Sequence, residues 1–347
     1  MKSLGRRRRE ALRGRAIAMS RTMRAVVANA GRCVLQSVPP PVAAPGEVLV
    51  TVAATALNRA DTLQRKGLYP PPPNTTDVLG LECAGRVGDR RVMALLPGGG
   101  YAEQVAVPES LLMDVPPNLS LRQAAAIPET WLTAFQLLFL VANAKAGETV
   151  LIHACGSGVG TAATQLAVRH GLKVIGTAGA EEKLARCREL GASAAFDYKA
   201  EGGFKQPVLD ATDGRGVDIV LDCVGGSHAA SNAGVLAMDA RWVVYGLMGG
   251  AAVPSDAPIL GLLLRKRAAL LTSTLRSRSV EYKAELTRRF AQHALPLFAS
   301  GEYTPVLDAK SFALDDAQAA HEYLEENSSI GKVTLLVESA EVCEAST

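Results

Sequence analysis

The sequence predicts an α/β protein: a doubly wound parallel sheet preceded in the chain by a β-rich region. Two observations carry this. From Met23 to about Lys145, short β-like runs such as "RAVVA", "EVLVTVAATAL", "RRVMALLP" and "EQVAVP" are punctuated by proline and glycine. After "KAGETV", apolar runs alternate with amphipathic helical segments, the pattern of parallel strands covered on both faces. A chain of 347 residues, 48% hydrophobic and 20% charged, suits two packed domains.

The first 23 residues carry eight Lys/Arg (Lys2, Arg6 to Arg9, Arg13, Arg15, Arg21) against one acid, Glu10. Without them the body holds 29 basic and 33 acidic residues, a net of −4, so its composition does not argue for a nucleic-acid partner. Residues 1–22 are expected to be a basic disordered extension, with Met19 or Met23 opening the functional chain. Two other readings stay open, a mitochondrial presequence and a basic arm for anionic partners. No apolar run approaches the roughly 18–20 residues of a membrane span. The longest, "APILGLLL", is expected to be a buried helix. Six cysteines without a CxxC pair argue against a disulfide framework and a zinc cluster. They point to a reducing compartment, with the cytoplasm expected, or the mitochondrion if the extension is a presequence.

In the first region "PPPV" and "YPPPPN" read as rigid extended loops, and "PGGGY" as a flexible loop between strands. In the second, "TVLIHA" leads to a helix near Val159–His170, and "KVIGTA" to a helix over Glu181–Leu190. "AAFDY", "VDIVLDCVG", "RWVVYGLMG" and "AALLTSTL" follow as strands. A long helix from Val280 to about Phe298, a helix in "DDAQAAHEYLEEN" and a strand in "GKVTLLVE" close the pattern. Residues 339–347 read as a polar, disordered tail. His153 falls on a buried strand, and His170, His293 and His321 fall on helices; all four read as structural.

The stretch "VLIHACGSGVGTAA" carries the chemistry. A strand, a glycine-rich turn and a helix aim backbone N–H groups and the positive helix end at an anion. The glycines fit no strict GxGxxG register. In the better one the three positions are Cys155, Ser157 and Gly160, with small residues where a pyrophosphate approaches and glycine where helix meets strand. The second strand ends "GTAGAEEK", with no acid at its tip to hold a ribose 2′-hydroxyl, which permits a 2′-phosphate. Lys183 and Tyr198 follow at neighbouring strand tips.

The stretches "AATALNRADTLQRKGLYPPPP", "LGLECAG", "MALLPGGGYAEQVAVPE", "AAAIPETWLTAFQLL", "VLIHACGSGVGTAA" and "RWVVYGLMGG" resemble the zinc-free quinone oxidoreductases of the medium-chain dehydrogenase/reductase superfamily. The resemblance implies a GroES-like substrate domain from residues 23–145 and 276–338, around a Rossmann domain over 146–275. It implies NADPH as cofactor, a small quinone as substrate, and a homodimer that extends the Rossmann sheet, for which "ALLTSTL" is the edge strand nominated. Asn58 and Leu81 stand where zinc relatives carry ligands, so the chemistry expected is metal-free hydride transfer from NADPH to a conjugated carbonyl.

By the same resemblance Asn58, Asp61 and Tyr69 lie at the reaction site. The alternative for Asn58 and Asp61 is a helix cap, and for Tyr69 simple packing. Cofactor contacts are expected from Thr133, Ser157, Gly158, Val159 and Gly160, then Gly179, Lys183 and Tyr198. Cys223, Val224, Tyr245, Gly246 and Met248 follow at strand tips, with Lys332 in the returning "IGKVTL".

Three departures stand out. Cys155 brings a sulfur to the loop, where it is expected to crowd a pyrophosphate. Ala180 replaces a serine common among relatives. "CAGRVGDRRVMALLP" joins two motifs where relatives insert a strand and turn, so either a shorter turn bridges residues 86–91 or the substrate domain is damaged. The competing readings are an NADPH-dependent enone or alkenal reductase, and a cofactor-binding protein without turnover.

Overall fold

The computed structural model describes residues 22–255 and 257–344. The extension expected over residues 1–22 lies, apart from Thr22, outside the described residues. The chain opens with an antiparallel hairpin of β1 (Met23–Asn29) and β2 (Arg32–Val38). The first domain then lays down β3 (Glu47–Ala56), β4 (Glu82–Val87), β5 (Arg90–Leu95), β6 (Gln104–Pro108) and β7 (Leu112–Asp114). Its sheet is completed from the far end of the chain by β14 (Leu307–Ala313) and β15 (Lys332–Leu336), with β15 running antiparallel to β3.

Between these segments lie β8 (Thr149–His153), β9 (Lys173–Ala178), β10 (Ala194–Asp197), β11 (Val217–Asp222), β12 (Leu236–Val244) and β13 (Ala269–Thr272). All five pairings are parallel, in the spatial order β10-β9-β8-β11-β12-β13. That is the doubly wound order whose direction reverses between β8 and β11, where a crevice opens at the carboxyl ends of the strands. The strands are Val, Ile and Leu runs, and Val150, Leu151, Ile152, Ile219, Val220 and Leu221 are buried, as two-sided coverage requires.

The two domains share one core. Trp131, on the helix Pro128–Phe135, stacks on Phe298 (centroids 4.6 Å apart) and Tyr303 (5.0 Å), and Phe298 belongs to the long helix Val280–Ser300. Pro128 opens its helix with no N–H to satisfy, and Ser279 caps the long one by accepting from the Tyr282 N–H (3.3 Å).

Several expectations need correction. The gap at 86–91 is closed: β4 and β5 pair from Glu82↔Leu95 to Val87↔Arg90, joined by Gly88-Asp89 alone. Gly88 sits at φ 57°, the conformation a two-residue hairpin demands of its first residue. The shorter turn replaces the missing segment, and the sheet carries through from β3 to β7.

"PGGGY" is no flexible loop. Gly98 to Tyr101 are buried, and Gly99, Gly100 and Tyr101 donate backbone bonds to Val78, Gly80 and Leu79 (2.9, 3.0 and 2.8 Å). Its glycines serve close approach: a Cβ on Gly100 would meet the Glu82 carbonyl oxygen at 2.5 Å.

"APILGLLL" forms the helix Ile259–Lys266, which buries no residue; Leu260 and Leu264, one turn apart, are 82% and 81% exposed. Only Ile259, Leu262 and Leu263 lean on the core, so apolar content did not identify a covered face. The polar tail also has structure: Ala340–Glu344 is helical, Cys343 is buried with Sγ on the Ala53 carbonyl (3.1 Å), and Arg122 pairs with Glu344 (2.8 Å).

Candidate active site

The glycine turn sits as the strand–turn–helix grammar requires. β8 delivers the chain to Ala154, and Ser157 caps the helix Gly158–Arg169 by accepting from the Gly160 N–H (3.1 Å). A Cβ at Gly160 would meet the Cys155 Cα at 2.7 Å, so glycine there permits the helix to pack on the strand. Cys155 does not crowd this turn. Its sulfur is buried and turned inward, 2.8 Å from where a Gly176 Cβ would stand, beside Cys187. That expectation fails because the missing Cβ at Gly176 leaves the sulfur a core pocket.

The C-terminal return crosses this turn. Gly331 donates to the Gly156 carbonyl (2.8 Å) and pairs with Ser157 as an isolated parallel bridge. Lys332 then runs past Gly158, where an added Cβ would lie 2.5 Å from its Cδ. Its ammonium donates to the Leu57 carbonyl (2.6 Å) and Asn58 Oδ1 (2.7 Å) and pairs with Glu82 (2.7 Å). The Lys332 side chain is 5% exposed and that of Glu82 0%. Lys332, nominated for the cofactor, is therefore spent on Asn58 and Glu82 and meets the cofactor turn only through its aliphatic stem.

Asn58 lies between them. Its amide nitrogen donates to Glu82 Oε1 (2.9 Å) and the Ala56 carbonyl (3.3 Å), so both of its protons are committed. The other Glu82 oxygen accepts from the Glu129 N–H (2.8 Å) at the start of the Pro128–Phe135 helix. Asp61 caps the helix Arg59–Arg65 by accepting from the Asn58 N–H (2.8 Å). It is fully buried, and also accepts from the Tyr101 hydroxyl (3.2 Å) and Gly80 N–H (3.3 Å). The geometry is that of the helix cap the sequence also allowed: Asp61 closes a capping box with Asn58 and fixes its backbone. Burial lifts its carboxyl to about 6, with the Asn58 N–H and Lys332 pulling the other way.

Tyr69 is half-buried, and its hydroxyl makes no hydrogen bond to any described residue. Burial raises its pKa while the charge of Arg276 lowers it, and Glu129 acts on it from another side. Burial, with Glu82 next, pushes the Glu129 carboxyl up to about 8. Glu129 and Arg276, both missed from the sequence, complete the array. They are remote in the chain and belong to no spacing pattern; only folding gathers them.

At the adenosine end, the tip of β9 reads Ala178-Gly179-Ala180, without a carboxylate. Lys199 folds over Gly179, its Cε 2.6 Å from an added Cβ, and stands over the Tyr198 ring at 5.9 Å. Lys183 covers Gly156 and donates from its ammonium to the Asn327 carbonyl. Lys199 and Arg59 both bear on Lys183 as like charges, so three cations gather here. Glu181, nearby on the next helix, is neutralised by Arg188.

Cys223 and Val224 lie just past the tip of β11, where Asp222 Oδ1 accepts from the Val224 and Gly225 N–H groups (2.7 and 2.9 Å). The other Asp222 oxygen holds Trp242 Nε1 (2.9 Å) and Asn232 (3.0 Å), and Asn232 holds His153 (2.7 Å). Burial keeps His153 neutral, lowered to about 4. Tyr245 and Gly246 face Cys223 from the end of β12, and the Tyr245 hydroxyl is buried beside the Cys223 thiol. Met248 is half-exposed beyond them, its N–H on the Cys223 carbonyl (3.0 Å), and Thr133 is partly exposed on its helix. A glycine-lined turn at a helix start, at the β8–β11 switch of strand order, fits a dinucleotide. Among the described residues, no three His, Cys, Asp or Glu are grouped to hold a metal ion.

Comparison with known proteins agrees with this architecture. Residues 44–91 match the alcohol dehydrogenase GroES-like domain, and residues 158–292 the zinc-binding dehydrogenase domain. The rat quinone oxidoreductase is 30% identical over 84% of this chain and 89% of its own. That of Pseudomonas aeruginosa is 32% identical over 84% and 91%. The solved quinone oxidoreductase of Thermus thermophilus, described with its NADPH complex, superposes with a TM-score of 0.79 at 34% identity, covering 91% of this chain and all of that one.

Proposed function

This chain belongs to the medium-chain dehydrogenase/reductase superfamily and is an oxidoreductase of that family; on that premise we propose that it reduces quinones with NADPH. The observation that carries the cofactor choice is the β9 tip, which has no acid and is overlaid by Lys199 with Lys183 beside it. An acid there would repel a 2′-phosphate, whereas cations attract one. The acceptor is supported by the relatives named quinone oxidoreductases, which span nearly the whole chain.

The reduced nicotinamide, when bound, supplies a hydride; the protein's part is placement. Ser157 and the glycine turn would hold the phosphates at the helix start. The Lys332–Asn58–Glu82 array ties that turn to the substrate domain, fixing the distance between donor and acceptor. Asn58 has no amide proton left to give, so Tyr69 is the free hydroxyl that meets the acceptor oxygen. A quinone needs little more, because its reduced oxygen is a stabilised phenolate.

The same reading includes a homodimer across β13. Leu270 on that edge strand is 48% exposed, and Leu260 and Leu264 lie exposed on the helix leading to it. An apolar open edge is a template for pairing with a second copy.

The deciding experiment is oxidation of NADPH against NADH by the purified protein with an ortho-quinone. Turnover that prefers NADPH supports the proposal. Binding of NADPH without turnover on any quinone, enone or alkenal overturns it.

A further inference from the structure

Arg276 reaches the site from a few residues past the end of β13, and its side chain is almost wholly buried. Nε donates to the Pro97 carbonyl (2.8 Å) and Nη2 to Gln64 Oε1 (2.7 Å), which fixes the plane of the guanidinium. Its own carbonyl accepts from Lys283 Nζ (2.7 Å). Nη1 is buried without a hydrogen-bond partner. The guanidinium carbon lies 5.4 Å from the centre of the Tyr69 ring. A buried cation that leaves one donor unsatisfied is costly, and the contact that the cost secures is the one to Tyr69.

We propose that Arg276 is the positioning residue for Tyr69: it fixes the ring against the domain junction and strengthens its hydroxyl as a hydrogen-bond donor to the acceptor oxygen. The inference rests on the reductase reading. In that reaction the hydride carries two electrons to the quinone, negative charge collects on a quinone oxygen, and a proton from solvent completes the hydroquinone. Tyr69 donates a hydrogen bond to that oxygen, and partial negative charge grows on the tyrosine as it does so. A cation over the ring favours that polarised state.

Lysine cannot replace arginine here. The two fixed bonds to Pro97 and Gln64 need a planar fork, and an ammonium would satisfy one or neither. The other charges around the pair are Asp61, Glu129 and Lys283, which act on Arg276 or on Tyr69. They are present in every variant below and cancel in the comparison.

The test is a double-mutant cycle of Arg276→Lys and Tyr69→Phe, read by kcat and KM for an ortho-quinone, by NADPH affinity, and by ultraviolet titration of Tyr69, isolated as the difference from Tyr69→Phe. Arg276→Lys should lower kcat about thirtyfold, the size of a desolvated cation–π contact, with NADPH affinity unchanged. Because an ammonium no longer held by both Pro97 and Gln64 leaves the ring face, the substitution should raise the Tyr69 titration midpoint and have no further effect on kcat in the Tyr69→Phe background. Equal kcat losses in both backgrounds, or an unmoved Tyr69 midpoint, would overturn the assignment. The titration needs no turnover. If the wild-type protein reduces no quinone while the midpoint still shifts, the reductase reading falls and the Arg276–Tyr69 coupling stands.

Discussion

Replacing Lys332 by methionine keeps the stem that lies along Gly158 and deletes only the ammonium. The structure sets the size of the effect. The Lys332–Glu82 pair is 2.7 Å apart with both side chains nearly or wholly buried, so removing one partner strands a charge. Breaking such a pair costs about 3–5 kcal/mol. Glu82 keeps its bonds from Asn58 Nδ2 (2.9 Å) and the Glu129 N–H (2.8 Å), which places the expected loss near the lower end, about 3 kcal/mol. The double variant Lys332→Met/Glu82→Gln removes the stranded charge but keeps a single acceptor oxygen, enough for the Glu129 N–H or for Asn58 Nδ2 and not for both, so it should recover about half of the loss, roughly 1–2 kcal/mol. Urea unfolding followed by fluorescence of Trp131 and Trp242, one at the shared core and one in the parallel sheet, measures both. If Lys332→Met costs less than about 1 kcal/mol, or the double variant is no more stable than the single one, the buried pair is not what joins these elements.

Three further outcomes follow from the same geometry. Glu129, held near 8, folds more readily protonated than ionised, so its contribution to stability is full below its ordinary value and is lost as pH rises towards 8. Glu129→Gln should therefore unfold at higher temperature than wild type at pH 8 and match it at pH 4.5; parallel melting curves at both pH values would contradict the shift. Leu270→Arg on the β13 edge should convert a dimer to a monomer in sedimentation velocity without lowering the unfolding midpoint, and a dimer that survives it is built on another surface. Gly158→Ala places a methyl against Lys332 Cδ (2.5 Å) and Thr130 Cγ2 (2.9 Å), and the anchored lysine cannot yield. NADPH affinity should fall at least about tenfold, the scale of a misplaced positioning contact, and unchanged affinity measured by cofactor fluorescence would show that the turn tolerates the bulk.

The parallel sheet was legible because its signal is local: short apolar strands of four to nine residues, each followed by a helix, leave few alternatives. The bare tip of β9 was legible for the same reason. What escaped was defined by partners distant in the chain. Glu129 and Arg276 stand in ordinary helical and loop sequence, and their roles arise only where Glu82, Tyr69 and Gln64 come to meet them. Asp61 was half-legible, since Asn-x-x-Asp is capping-box spacing, but its burial under Tyr101 was not. The errors share one cause. "APILGLLL" and "PGGGY" were read from composition, which gives hydropathy and flexibility but not whether a neighbour covers the face or needs the backbone close.

Lys332 also explains why the substrate domain draws on both ends of the chain. β15 pairs with β3 through Leu335↔Thr55, and the residues just before it set the glycine turn: Gly331 bonds the Gly156 carbonyl and Lys332 reaches Asn58. Gly331 has φ 70° and no room for a side chain against the Val306 carbonyl, so the crossing admits glycine alone. The strand that completes the first domain's sheet therefore also fixes the glycine turn, and a shift of β15 along β3 would move Lys332, Asn58 and the helix Gly158–Arg169 together. On the proposed reading, the relative placement of the two reactants would rest on sheet register, which a side-chain period of two makes hard to slip.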